Sequence, residues 1–99
     1  MKLIVEASFP HEPFNSYDRE GTAGAKIGET LQAIHPEVIY FTDSGVGRGL
    51  MMIVEIDNAS QAPHVTEPLM LTFNASVHYR LAMAPDELAS AGLEKYATG

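Results

Sequence analysis

A chain of 99 residues with 45% hydrophobic and 19% charged side chains fits one globular domain, residues 1–99, able to bury roughly 60 to 70% of its unfolded surface. Its formal charge of −7 comes from thirteen acidic and six scattered basic residues, Lys2, Arg19, Lys26, Arg48, Arg80 and Lys95. That pattern excludes the clustered cations that nucleic acid requires and disfavours an anionic membrane surface. The lack of cysteine removes a disulfide scaffold, a thiolate metal site and a cysteine nucleophile together.

No apolar run approaches the ~20 residues of a membrane span. Met1-Lys2 leads straight into a strand, so neither a leader nor a membrane partner is expected, and the expected location is cytoplasmic. The sequons Asn58-Ala59-Ser60 and Asn74-Ala75-Ser76 then read as chance matches.

Residues 2 to 9 set Leu3, Val5, Ala7 and Phe9 against Ile4, Glu6 and Ser8, the two-residue period of a strand. Pro10 and Pro13 end it, and Pro10 to Asn15 reads as a loop. From Asn15 or Ser16 the pattern turns helical, with Ile27, Leu31 and Ile34 at helical spacing and Ala23 and Gly24 continuing the stripe. His35-Pro36 closes that helix, because the residue before proline avoids helical backbone. Val38 to Thr42 is a short strand, followed by the turn Asp43-Ser-Gly-Val-Gly47.

Leu50 to Ile56 is a nearly continuous apolar strand, expected to be buried on both faces. Ser60 suits a helix N-cap, and a helix from about Gln61 to Phe73 follows, with Pro68 placed to kink or shorten it. Ser76 to Met83 alternates as a fourth strand. Ala84-Pro-Asp-Glu87 opens a last helix, with Pro85 at its start and acids in its first turn, and Gly92 interrupts or ends it.

The order β-α-β-β-α-β plus a C-terminal helix is the ferredoxin-like α+β arrangement, a four-stranded antiparallel sheet of order 4-1-3-2. Two helices cover one face of such a sheet. The other would carry Ile4, Met51 and Ile53 beside polar groups, and such an apolar patch marks an interface or a ligand site. A second copy packed sheet to sheet, as a homodimer, is the economical cover.

On its element order and half-polar sheet pattern, over residues 2 to 98, the chain resembles the dimeric α+β-barrel superfamily, in particular its small uncharacterised bacterial members. The resemblance implies a cavity between two facing sheets and informs fold more than function, since the superfamily includes cofactor-free monooxygenases, isomerases, haem-dependent enzymes and ligand sensors. Quinone-monooxygenase-like members use a Trp with Asn and His. This chain has no Trp, which argues against that activity.

If Leu3, Val5, Ala7 and Phe9 face the helices, then Glu6, Ser8, Glu55, His78 and Arg80 face the cavity, with Tyr40 joining them from the second strand. Carboxylate, guanidinium and imidazole on one partly buried face act as a set, because an unpartnered buried charge is unfavourable. Glu6 or His78 is the candidate general base, and Arg80 the group to hold an anionic or carbonyl-bearing small organic ligand. The competing reading is an ion-pair network that fixes strand register or a dimer interface.

His11 in the Pro10–Asn15 loop is a further candidate ligand contact at the cavity's end, or part of an ordinary surface connection. The glycines of Gly21-Thr-Ala-Gly-Ala-Lys26-Ile-Gly28 match neither phosphate-binding string, and close helix-to-sheet packing is the expectation for them. His11, His35, His64 and His78 form no HxxxH or HxH pair, so no metal site is expected, and no cofactor is implied. Met51, Met52, Met70 and Met83 read as core or cavity lining. The sequence thus supports a homodimeric binder of a small organic molecule, acting as a cofactor-independent isomerase, lyase or oxygenase, or else a non-catalytic assembly module.

Overall fold

The computed structural model describes residues 1–98. In chain order it contains β1 (Lys2–Ser8), α1 (His11–Glu20), α2 (Ala23–Ile34), β2 (Val38–Asp43), β3 (Arg48–Glu55), a 3₁₀ turn (Ala59–Gln61), α3 (Ala62–Phe73), β4 (Ser76–Ala82), α4 (Pro85–Ala89) and a second 3₁₀ turn (Leu93–Tyr96). The strands form one antiparallel sheet in the order β2-β3-β1-β4, the expected 4-1-3-2 read from the other edge. The chain therefore has the ferredoxin-like α+β fold, with β1 and β3 central.

Alternation along the two central strands explains the core. Leu3, Val5 and Ala7 of β1 and Leu50, Met52 and Val54 of β3 are all buried, because each sits on the face that α1, α2 and α3 cover. Their sheet neighbours Ile4, Met51 and Ile53 are only half-buried and Glu6 is exposed, so β3 is not buried on both faces as its run of apolar residues suggested. Phe9, Phe14 and Phe73 meet with ring centroids 5.2 to 5.7 Å apart, and Tyr17 packs edge-on against Phe73 at 5.9 Å. The Tyr17 hydroxyl donates to the Thr72 carbonyl at 2.7 Å. Pairs of this kind add ~0.5 to 1.5 kcal/mol beyond their burial and tie α1 to α3.

The single long helix expected before β2 is two helices. Gly21 at φ 76° takes the left-handed conformation that ends a helix, and its N–H and that of Thr22 reach back to the carbonyls of Asp18 and Tyr17. The first of the two also begins earlier than expected, inside the presumed Pro10–Asn15 loop. Glu12 has extended backbone (φ −110°, ψ 141°), and its carboxylate accepts from the Ser16 N–H at 3.2 Å and hydroxyl at 2.6 Å. These bonds satisfy groups that a helix start leaves open.

Gly24 and Gly28 are exposed, and a Cβ at either would meet nothing within 4 Å. Close helix-to-sheet packing thus does not account for them, and Gly24 does not belong to the buried stripe. Two further expectations shift. Asn58, rather than Ser60, caps the turn before α3, accepting from the Ser60 N–H at 3.1 Å. Pro68 is carried inside α3, which continues to Phe73 and is closed by Asn74 in left-handed backbone. The bond that Pro68 cannot make is to the carbonyl of exposed His64, near the solvent-facing start of the helix. Gly92, in left-handed backbone at φ 65°, interrupts the C-terminal helical segment, lying between α4, which ends at Ala89, and the 3₁₀ turn Leu93–Tyr96.

Candidate functional site on the open sheet face

The helices leave the second face of the sheet bare, and strand register decides which side chains meet there. Tyr40 pairs with Met51, Met51 with Glu6, and Glu6 with His78, so one residue from each of the four strands stands in a single row. Directly opposed side chains in an antiparallel sheet have Cβ atoms ~4.5 to 5.5 Å apart. The adjoining row towards one end is Val38, Ile53, Ile4 and Arg80, and towards the other Thr42, Gly49, Ser8 and Ser76.

Arg80 therefore lies diagonally from Glu6, and its Nη2 donates to Glu6 Oε1 at 3.2 Å. The two side chains are 67% and 49% exposed, so water screens the pair and it contributes little to stability alone. His78 is Glu6's direct partner across the ladder. A carboxylate and an imidazole thus stand side by side across the ladder, and Arg80 supplies donors in a planar fork that Glu6 occupies only in part.

The end of the row nearest the β2–β3 turn opens into a cavity of about 410 Å³ lined by Glu6, Ser8, Thr42, Asp43, Ser44, Met51 and His78. The turn is built to hold that wall in place. The Asp43 carboxylate accepts from the Gly45 N–H at 2.8 Å, and the Ser8 and Ser44 hydroxyls are 3.1 Å apart. Gly45 at φ 89° and Gly47 at φ 139° provide backbone that L side chains rarely adopt.

Glu55 and His11 are not brought to this row. Glu55 sits four residues along β3 from Met51, ~13 Å away by strand rise, and its carboxylate takes the Met1 ammonium at 2.6 Å and Lys2 at 3.4 Å. Lys2 also pairs with Glu37 at 2.7 Å. The Met1 ammonium, followed by Lys2, holds the Glu55 carboxyl below its ordinary value, and hydrogen bonding to Glu37 raises Lys2. His11 lies beyond the strand ends, at a second cavity of about 600 Å³ also lined by Pro10, Val46, Asn74 and Ser76. Ser8 borders both cavities, so His11 neighbours the site without facing Glu6.

Thr42, Asp43, Ser44 and Ser76 were not among the residues singled out from the sequence. The signal for them was present. Antiparallel order places the β2–β3 turn and the start of β4 at the same end of the sheet as the end of β1, so the hydroxyl-rich turn had to border Ser8.

No family model and no curated protein matches this sequence. Among solved structures, the chain is similar to a de novo designed protein, Ferredog-Diesel, at a TM-score of 0.48 and 8% identity over 82% of this chain and 85% of that one. It is also similar to a candidate antibiotic biosynthesis monooxygenase from Deinococcus radiodurans, at a TM-score of 0.41 and 14% identity over 85% and 94% of the two chains. The fold assignment rests on this chain's own strand order and register.

Proposed function

We propose that the open sheet face binds a small organic molecule and that a second copy, packed sheet to sheet, closes the cavity around it. The observation that carries this reading is the row Tyr40–Met51–Glu6–His78, with Arg80 on Glu6, on a face that no helix covers and beside a cavity of about 410 Å³. The volume falls in the range of ligand sites, and the lining joins Ala7, Leu50 and Met51 to convergent carboxylate, hydroxyl and imidazole groups.

Within that reading Arg80 orients an anionic or carbonyl-bearing group, while Glu6 or His78 accepts a proton from the bound molecule. Those side chains supply proton transfer, which suits an isomerase or lyase acting without a cofactor, or an oxygenase whose substrate itself reacts with dioxygen once deprotonated. The alternative, a purely structural ion-pair network, is the weaker of the two. A pair as exposed as Glu6–Arg80 holds little in place.

Thermal-shift screening against small carboxylates, quinones and haem tests the site. A ligand that stabilises the native protein should lose at least about tenfold in affinity on Arg80→Met, as expected when a hydrogen bond to a charged group worth ~1.5 to 3 kcal/mol is removed. It should also respond to Glu6→Gln. Binding that survives both substitutions would remove the open face as the site.

A further inference from the structure

The helix layer stops short of the outer strand. Val5 and Leu3 on β1 are buried, yet their direct partners on the same face of β4, Tyr79 and Leu81, are 52% and 66% exposed. Met83 extends that apolar stripe just past the strand, and it too is exposed. The chain then leaves the body as an arm that carries Leu88, Leu93 and Tyr96, all exposed.

The arm has no support in its own chain. Neither α4 nor the 3₁₀ turn after it contains a buried residue. Among the described residues, no hydrogen bond or ion pair joins 84–98 to the body; the bonds are local, such as Ala84 N–H to Glu87 and Ser90 hydroxyl to Asp86. The molecule is 65 Å long and 27 by 19 Å across, with a radius of gyration of 16.8 Å against about 13 Å for a compact chain of this size. Isolated helices shorter than ~12 to 15 residues are marginal in water even with favourable composition. A five-residue helix flanked by exposed leucines and tyrosine must therefore be held by something that it packs against.

We infer that residues 79–96 form a self-complementary surface through which two copies exchange arms, Leu88, Leu93 and Tyr96 of each lying on the Tyr79–Leu81–Met83 stripe of the other. A second copy is the occupant because stripe and arm are continuous in one chain. A two-fold axis near Met83 brings each arm onto the other's stripe and leaves none uncovered, the closure that an isologous contact provides. Six half-exposed side chains of ~100 Å² each, with the backbone around them, approach the ~800 Å² per partner of a standard interface. This contact uses the helix side of β4 and the arm, so it is independent of the sheet-to-sheet packing and of any ligand.

The chain has no cysteine, so introduced thiols report cleanly. In the double variant Leu81→Cys/Leu93→Cys, mild oxidation should give a covalent dimer on a non-reducing gel. Adding Leu88→Asp should reduce that yield at least tenfold while the circular dichroism of the body stays unchanged, since these positions are exposed. An intrachain bridge in a covalent monomer would show that the arm folds back on its own stripe and overturn the exchange. So would free thiols after oxidation, or equal dimer yield from the control pair Leu81→Cys/Glu29→Cys.

Discussion

Three charged groups near the ends of the body are tuned by their immediate neighbours. Glu55 is held low by the Met1 ammonium and Lys2, and Glu12 by the Ser16 hydroxyl first and by Arg19 more weakly. Each carboxyl binds its proton less tightly folded than unfolded. The stability it adds is therefore present above the ordinary carboxylate value and lost as pH falls through its folded value. Lys2, raised chiefly by Glu37, behaves in the opposite sense: its contribution is complete below the ordinary lysine value and disappears as pH rises past the folded one. All three are at the surface, so the amplitudes are small. Below roughly pH 5, where Glu55 takes up its proton, urea unfolding midpoints should decline less steeply in Glu55→Gln than in the parent. An unchanged acid limb in that variant would show that the contact with Met1 and Lys2 adds nothing.

At the scale of elements, the wall of the cavity depends on how closely the β2–β3 turn lies over β1. Gly49 is where they touch. A Cβ there would stand 2.9 Å from the Ala7 carbonyl oxygen and 2.9 Å from the Ser44 Cβ, backbone and the root of a short side chain, neither of which can swing away. Gly49→Ala should destabilise the protein by ~1 to 3 kcal/mol, the range for overpacking a tight site, in chemical denaturation. It should also perturb the amide signals of Ser8, Ser44 and Gly45. A variant as stable as the parent would mean that the turn is free to lift, and the wall with it. Elements also show what periodicity could and could not reveal. Apolar spacing located α2, but the left-handed break at Gly21 and the start of α1 at His11, with Glu12 in extended backbone, depend on backbone conformation, which spacing does not report.

For the whole molecule the open face sets the expectation. Ile4, Met51 and Ile53 are half-buried in the single chain, and sheet-to-sheet packing would bury them fully. Light scattering at micromolar concentration should give at least twice the mass of one chain. Met51→Asp, which places a charge at the centre of that face beside Glu6, should weaken this association at least tenfold. A parent protein that is monomeric at that concentration would leave the cavity open on one side and remove the closed-cavity reading. No helix among the described residues is long and apolar enough to cross a membrane.

What the sequence determined by itself is what depends on neighbours along the chain. The two-residue period of Leu3, Val5 and Ala7 against Ile4 and Glu6 assigned the faces of β1, the order of periods implied the sheet, and the apolar strands at positions one and three implied which were central. What only the tertiary structure decided is which charges meet. Glu6 and Arg80 are 74 residues apart in sequence, and Glu55 faces the same side of the sheet as Glu6 yet belongs to Lys2 and the Met1 ammonium. The two rows that separate Glu55 from Glu6 are set by strand register. Register is fixed by packing of the opposite, buried face and by the tight approach at Gly49, and neither is a property of any local stretch of sequence.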